Sequence, residues 1–256
     1  KCAQSLSQIE DINECNIRVY DDCSTEYGKK FLEDIFPEAK EIVVREKNLR
    51  ADRNMALMFR NFLDTQDDYM LIADSDLIFR SDIIKVIKKV IPGTDGILSL
   101  YNSTLHDQIV GSQDIKGIKV LKKKDLGAAG TVLSREVVKR ISGNINDGDS
   151  YDWRWSEFLL KEKLRMFCTE DSYLQHIGFE GQNNDGLLYD FGKNFYPGNR
   201  VNEEIMADYI ETALGQIVDH AKFVLENNLE HKIGYWITNP YPALKELIKR
   251  LFKKVK

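Results

Sequence analysis

Tyr69-Met70-Leu71-Ile72-Ala73-Asp74-Ser75-Asp76 joins a short apolar run to two carboxylates one residue apart. The run suits a pleated, half-buried surface and predicts a strand. Its acidic end then lies at the strand's carboxyl terminus, the edge where open α/β sheets bind their ligands. Hard carboxylate oxygens suit Mg²⁺ or Mn²⁺, ions that complete their shells with substrate phosphate oxygens. D-x-D alone is a weak signal, because a solvated strand-to-loop turn produces the same letters.

The flanking segments give that strand its setting. Upstream, Asn16-Ile17-Arg18-Val19-Tyr20 reads as a β-rich run closed by Asp21-Asp22-Cys23-Ser24. A helix over 26–36 stops at Pro37, Glu41–Arg45 reads as a strand, and 52–65 carries Met55, Met58, Phe59 and Phe62 on one helical face. Downstream, a helix over 81–91 ends at Pro92-Gly93, and Gly96–Tyr101 reads as another strand. This alternation predicts an α/β domain with a mostly parallel, Rossmann-like sheet flanked by helices. Both acidic turns, at 21–22 and 74–76, then fall on the ligand-binding edge.

Beyond residue 105 the pattern loosens. Strand-like runs at 118–121 and 130–133 flank Gly127-Ala128-Ala129, helices are predicted over 134–141 and 152–163, and a polar loop spans 143–150. Residues 170–200 read as an extended, partly mobile segment over the active face, and 201–256 as a helical C-terminal extension. Within that extension Leu244, Leu247, Ile248, Leu251, Phe252 and Val255 form an apolar stripe beside six basic residues. Such a helix either packs on the protein's own core or makes peripheral membrane contact through 241–256.

Composition narrows the function classes. A net charge of −5 argues against a phosphate-tracking surface, so no nucleic-acid partner is expected. The four cysteines have no C-x-x-C spacing and read as reduced thiols, which points to a cytoplasmic protein. No apolar run approaches the ~20 residues that span a bilayer. Lys1–Ser7 reads as the middle of a helix without a cap, as expected for a fragment of a longer chain.

Four pieces stand in order: Asp21-Asp22-Cys23-Ser24; Arg50-Ala51-Asp52-Arg53-Asn54 opening a helix; Asp74-Ser75-Asp76; and Asp152-Trp153 with Gln175-His176-Ile177-Gly178 downstream. The series resembles the GT-A glycosyltransferases, most closely the family 2-like enzymes, over roughly residues 1–185. The Asn48-to-Asn54 spacing belongs to the same likeness. On this resemblance residues 1–200 form the catalytic domain, with its usual first strand absent, and 201–256 an appendage.

The resemblance implies a metal-dependent, inverting transfer of sugar from a nucleotide-diphosphate sugar, typically UDP-linked, to a glycan, glycolipid or glycoprotein acceptor. Asp21 would accept from the base ring, Arg53 would offer its guanidinium to phosphate or a carboxylate, and Asp74 with Ser75 would face the donor. Asp76, Asp74 and His176 would hold Mn²⁺ or Mg²⁺, the imidazole favouring Mn²⁺. Asp152 would be the base.

Each residue also has a local reading. Asp21 suits an Asx turn, Arg53 a solvated first turn, and Asp152 a helix N-cap. The usual Glu-Asp doublet is Tyr151-Asp152 here, which leaves Asp149 and Glu157 as rival bases. Trp153 and Trp155 read equally as core or as an acceptor platform, while His106, His220 and His231 read as surface or packing residues. Gly127-Ala128-Ala129-Gly130 either lets backbone approach the donor sugar or makes a tight turn. Two alternatives place D-x-D after an apolar strand without this chemistry. One is a haloacid dehalogenase-type phosphohydrolase with a nucleophilic first Asp; the other is a non-catalytic sugar-binding protein on the same fold.

Overall fold

A computed structural model describes residues 1–144, 151–178 and 190–227. The chain divides into two units, Lys1–Ile205 and Met206–Lys256. The first carries, in order, α1 (Cys2–Leu6), β1 (Arg18–Asp21), α2 (Lys29–Ile35), β2 (Glu41–Val44), α3 (Arg50–Leu63), β3 (Tyr69–Leu71), β4 (Leu77–Phe79) and α4 (Ile83–Val90). There follow β5 (Ile97–Ser99), β6 (Ile109–Ile115), β7 (Ile118–Lys123), β8 (Thr131–Ser134), α5 (Arg135–Ser142), α6 (Tyr151–Lys161), β9 (Met166–Thr169) and β10 (Leu174–His176). The last of the described helices, α7, spans Arg200–Asn227. The basic amphipathic stretch 241–256 and the rival base Asp149 lie outside the described residues.

Successive residues of the central strands serve opposite cores, as the two-residue strand period requires. Leu98, Val132 and Phe167 pack with Ile83, Val86 and Val90 of α4. Their neighbours Ile97, Leu133 and Met166 pack on the other face with Met55, Phe59 and Phe62 of α3, Val137 and Ile141 of α5, and Trp155 of α6. This is an α/β fold with helices on both faces of the sheet. The expected apolar stripe of α3 is the one it buries.

The sheet order is β3-β8-β5-β9-β7-β6. The expected mostly parallel sheet is here a mixed one. β5 pairs with β9 in parallel, as β1 does with β2, while β8 lies antiparallel between β3 and β5, and β7 antiparallel to β9 and β6. Part of the mixture comes from a hairpin whose β6 strand carried no sequence signal. Ile115 faces Ile118 across Lys116 and Gly117, with φ of 52° and 79°, the positive pair that a two-residue hairpin turn needs. β6 is exposed along most of its length, so it shows none of the apolar alternation that marks a half-buried strand.

Two further pairings stand apart from the main sheet. β1–β2 is a parallel pair, tied to the approach to β3 by Arg18, whose Nη1 lies 3.0 Å from Asp67 Oδ2. β4–β10 is an antiparallel pair, and it builds the site.

Candidate active site

Leu77-Ile78-Phe79 follow the acidic turn and are fully buried, which anchors the turn from its far side. In the β4–β10 ladder His176 stands opposite Leu77, and the Ile177 N–H donates to Asp76 O at 2.8 Å. That register brings the imidazole to the turn, with His176 Nε2 3.1 Å from Asp76 Oδ2. Burial works against the charged imidazole, but the contact with Asp76 and the charges of Asp74 and Asp190 outweigh it and raise its pKa. The other Asp76 oxygen, Oδ1, is buried and has no hydrogen-bond partner. Gly178 closes the cradle: a Cβ there would stand 2.1 Å from Asp76 Oδ2.

Asp74 shares this crowding. Burial first, then the Asp76 and Asp152 carboxylates, push its pKa up to about 6, against the opposing pull of His176. Ser75 is exposed between the two acids. Cys2, at the start of α1, donates its thiol to Asp74 O at 3.6 Å. Burial pushes that thiol up to about 11, so it stays protonated near neutrality and offers no thiolate.

Asp152 sits in the first turn of α6, where its Oδ1 accepts from the Trp153 N–H at 2.9 Å. Burial raises its pKa; the N–H groups of Trp153, Asp152 and Ala128 and the His106 imidazole resist the rise. The Ala128 contact comes from the Gly127–Gly130 stretch, a tight turn in which Thr131 N donates to Ala128 O at 3.0 Å and Thr131 Oγ1 to Gly127 O at 2.7 Å. Gly130 has a φ of 72°, and a Cβ on it would meet Leu174 of β10 at 2.3 Å. The turn therefore docks directly on the strand that delivers His176. Glu157 is exposed on α6.

Asp76 and His176 are thus in contact, and Asp74 and Asp152 lie near enough for their charges to act on one another. Asp21 follows its local reading, with Oδ2 accepting from Ser24 N at 3.0 Å and Oδ1 from the Ser24 hydroxyl. Its neighbour Asp22 caps the entry to α3, accepting from Leu49 N at 2.8 Å. Arg53 is exposed in the first turn of α3. Trp155 is core, 1% exposed and stacked on Phe59, while Trp153 is 46% exposed. Asn102 is buried and spends its amide on Glu170 O, a structural role.

One group escaped the sequence reading. His106 and Asp125 are both nearly buried, with Nδ1 3.5 Å from Oδ1, and the His106 ring lies 4.9 Å from the Trp153 ring. Beneath them the buried Lys123 donates to His106 O and to Asn102 Oδ1. His106 and Asp125 lie in irregular connections, Lys123 ends β7 and Trp153 is on α6, and no spacing rule connects them.

Among the described residues, no three carboxylate, imidazole or thiol groups converge to hold a metal ion by themselves. None of the helices described is long and apolar enough to cross a membrane. All four cysteines are free.

No family model matches the chain, and no curated protein matches it by sequence. Solved structures do. The chain is similar to S. aureus TarS 1-349 in complex with UDP-GlcNAc, with a TM-score of 0.50 at 14% identity over 71% of this chain and 55% of that one. The likeness is one of fold. A197 from STIV also matches, with a TM-score of 0.43 at 17% identity over 72% of this chain and 96% of that one. The α/β architecture shared with TarS is GT-A-like: a mixed central sheet flanked by helices.

Proposed function

We propose that this protein is a metal-dependent glycosyltransferase. It takes a sugar from a nucleotide-diphosphate donor, UDP-linked by analogy with the TarS complex, and passes it to a hydroxyl of a glycan or glycoconjugate with inversion. The observation that carries this reading is the Asp76–His176 contact, with Asp76 Oδ1 buried without a hydrogen-bond partner. Two carboxylates and an imidazole are hard and borderline ligands of the kind Mn²⁺ and Mg²⁺ accept. The described side chains do not make a complete ligand set by themselves, so an ion here would finish its shell with phosphate oxygens and water. Asp76, Asp74 and His176 would hold that ion, which supplies charge neutralisation for the departing diphosphate.

The protein's own residues do the rest. Asp152 accepts the proton of the acceptor hydroxyl, and its raised pKa moves it toward the range where a carboxylate is an effective base. A single base of this kind is enough for an inverting displacement. The Gly127–Gly130 turn brings backbone close to the donor sugar, and its Ala128 N–H steadies Asp152. Asp21 and Arg53 serve the nucleotide in this reading, which requires Asp21 to exchange its Ser24 contacts for the base. Membrane contact through 241–256 would bring the enzyme to a lipid-linked acceptor.

A panel of nucleotide sugars, assayed for protection against heat with and without Mn²⁺, tests the reading. Mn²⁺-dependent protection by a UDP-sugar, with UDP release, supports it. Release of phosphate from monoesters without such protection favours the phosphohydrolase. Sugar binding that ignores both Mn²⁺ and Asp76→Ala favours the non-catalytic protein.

A further inference from the structure

Asp152 feels two groups of ionisable side chains. Asp74 belongs to the acidic turn; His106 belongs to the set that includes Asp125 and Trp153. The first set suits the donor. The second has no task in that chemistry, yet its construction is specific.

His106 Nδ1 stands 3.5 Å from Asp125 Oδ1, a close approach of charges rather than a hydrogen bond, and neither buried atom has a hydrogen-bond partner. A carboxylate beside Nδ1 favours the proton on that nitrogen and leaves the lone pair on Nε2. Nε2 lies against Gly127, where a Cβ would stand only 3.0 Å away, so the missing side chain gives this nitrogen its room. Lys123 holds the His106 backbone from below. Next to this fixed acceptor nitrogen stands the half-exposed indole of Trp153, carried on the same helical turn as Asp152. An exposed aromatic face beside a fixed hydrogen-bond acceptor matches a pyranose ring, which has an apolar C–H face and a rim of hydroxyls.

We propose that Trp153 and His106, the latter oriented by Asp125, form an acceptor subsite for a carbohydrate ring with free hydroxyls. One face of the ring lies on the indole and one hydroxyl donates to His106 Nε2, which presents a neighbouring hydroxyl to Asp152. This rests on the reading of Asp152 as the base. His106 and Trp153 bind the acceptor; Asp125 is a positioning residue.

The test uses the full chain with ¹⁵N-labelled tryptophan and a panel of methyl pyranosides, in the gluco, galacto, manno and N-acetylglucosamine series. The Trp153 indole resonance is identified by its loss in Trp153→Phe. At least one glycoside should shift it saturably. Trp153→Ala and His106→Gln should each weaken that binding roughly tenfold, the weakening in Trp153→Ala being read by ligand-observed saturation transfer. Asp125→Asn should weaken it too, because an amide can turn its N–H toward Nδ1 and so reverse the tautomer. Affinity for UDP with Mn²⁺ should stay within about twofold in all three variants. If no glycoside shifts the resonance, or if both binding-site variants keep wild-type affinity, the proposal is overturned. UDP binding to the wild type is a separate arm: its absence sinks the donor reading, and the glycoside titration still decides the subsite. Trp153 is half-exposed, so its replacement leaves the core intact and the titration interpretable.

Discussion

His176 Nε2 lies 3.1 Å from Asp76 Oδ2 because β10 runs antiparallel to β4, in a register that sets His176 opposite Leu77. The two residues are far apart in the chain and meet only through that ladder. A shift of one residue would turn the imidazole to the other face and leave Asp76 with neither oxygen engaged.

Asp76→Ala should fold and lose donor binding that depends on metal. With UDP and Mn²⁺ at about a hundred times their dissociation constant, a binding site of this kind adds ~2.7 kcal/mol of stability. That increment should be present in thermal melts of the wild type and absent from the variant. An equal shift in both would remove Asp76 from the site.

Gly178→Ala should be costly at a position that is otherwise unremarkable. The added methyl would sit 2.1 Å from Asp76 Oδ2, so the loop or the carboxylate must move. We expect a loss of roughly 1–3 kcal/mol in urea unfolding, typical of overpacking, together with loss of the Mn²⁺-dependent increment. A variant with wild-type stability and metal response would mean the cradle is loose.

Asp152→Asn should separate binding from transfer. Donor affinity measured by calorimetry should hold, while the rate of sugar transfer falls about a hundred- to ten-thousand-fold, the usual worth of a general base. Full transfer activity would reassign the base, with Glu157 the next to replace.

Asp95 supplies a pH-dependent term remote from the site. Its Oδ2 accepts from Arg165 N at 2.8 Å and Nε at 3.0 Å, and its Oδ1 from Nη2 at 2.6 Å. The Arg165 side-chain bonds, opposed by burial and aided by its backbone N–H and charge, hold the Asp95 carboxyl below the ordinary carboxylate range. A depressed folded-state pKa contributes stability above the unfolded pKa and loses it as pH falls through the folded value. Asp95→Asn should therefore lower stability near neutrality by about 1 kcal/mol, since Arg165 is half exposed and the pair is screened. Melts from neutral pH down into the acid range should show the gap between wild type and variant closing. A gap that stays constant would assign the loss to packing instead.

Much of the fold was legible because it rests on local rules. The stripe on α3, the β3 strand with its acidic end, the stop at Pro92-Gly93 and the helix opening at Asp152 all follow from periodicity and breakers within a few residues. Asp21 shows the limit of such reading, since its Asx turn and a nucleotide contact share the same letters, and the carboxylate meets Ser24. β4, β6, β9 and β10 escaped for different reasons. β4 and β9 are short, uniformly buried runs without alternation, β6 is mostly exposed, and β10 is three residues in a polar stretch. His106 escaped because nothing near it in sequence signals Asp125 or Trp153.

The chain's letters alone determined the α/β class, the helix faces and the carboxylates that end the strand at position 74, because backbone period and side-chain chemistry act over a few neighbouring residues. Only the tertiary structure decided that the sheet is mixed, that His176 reaches Asp76, and that His106, Asp125 and Trp153 gather beside Asp152. Strand order and register are set by which distant surfaces bury each other best. That is a property of the whole packed core, and no short window of sequence contains it.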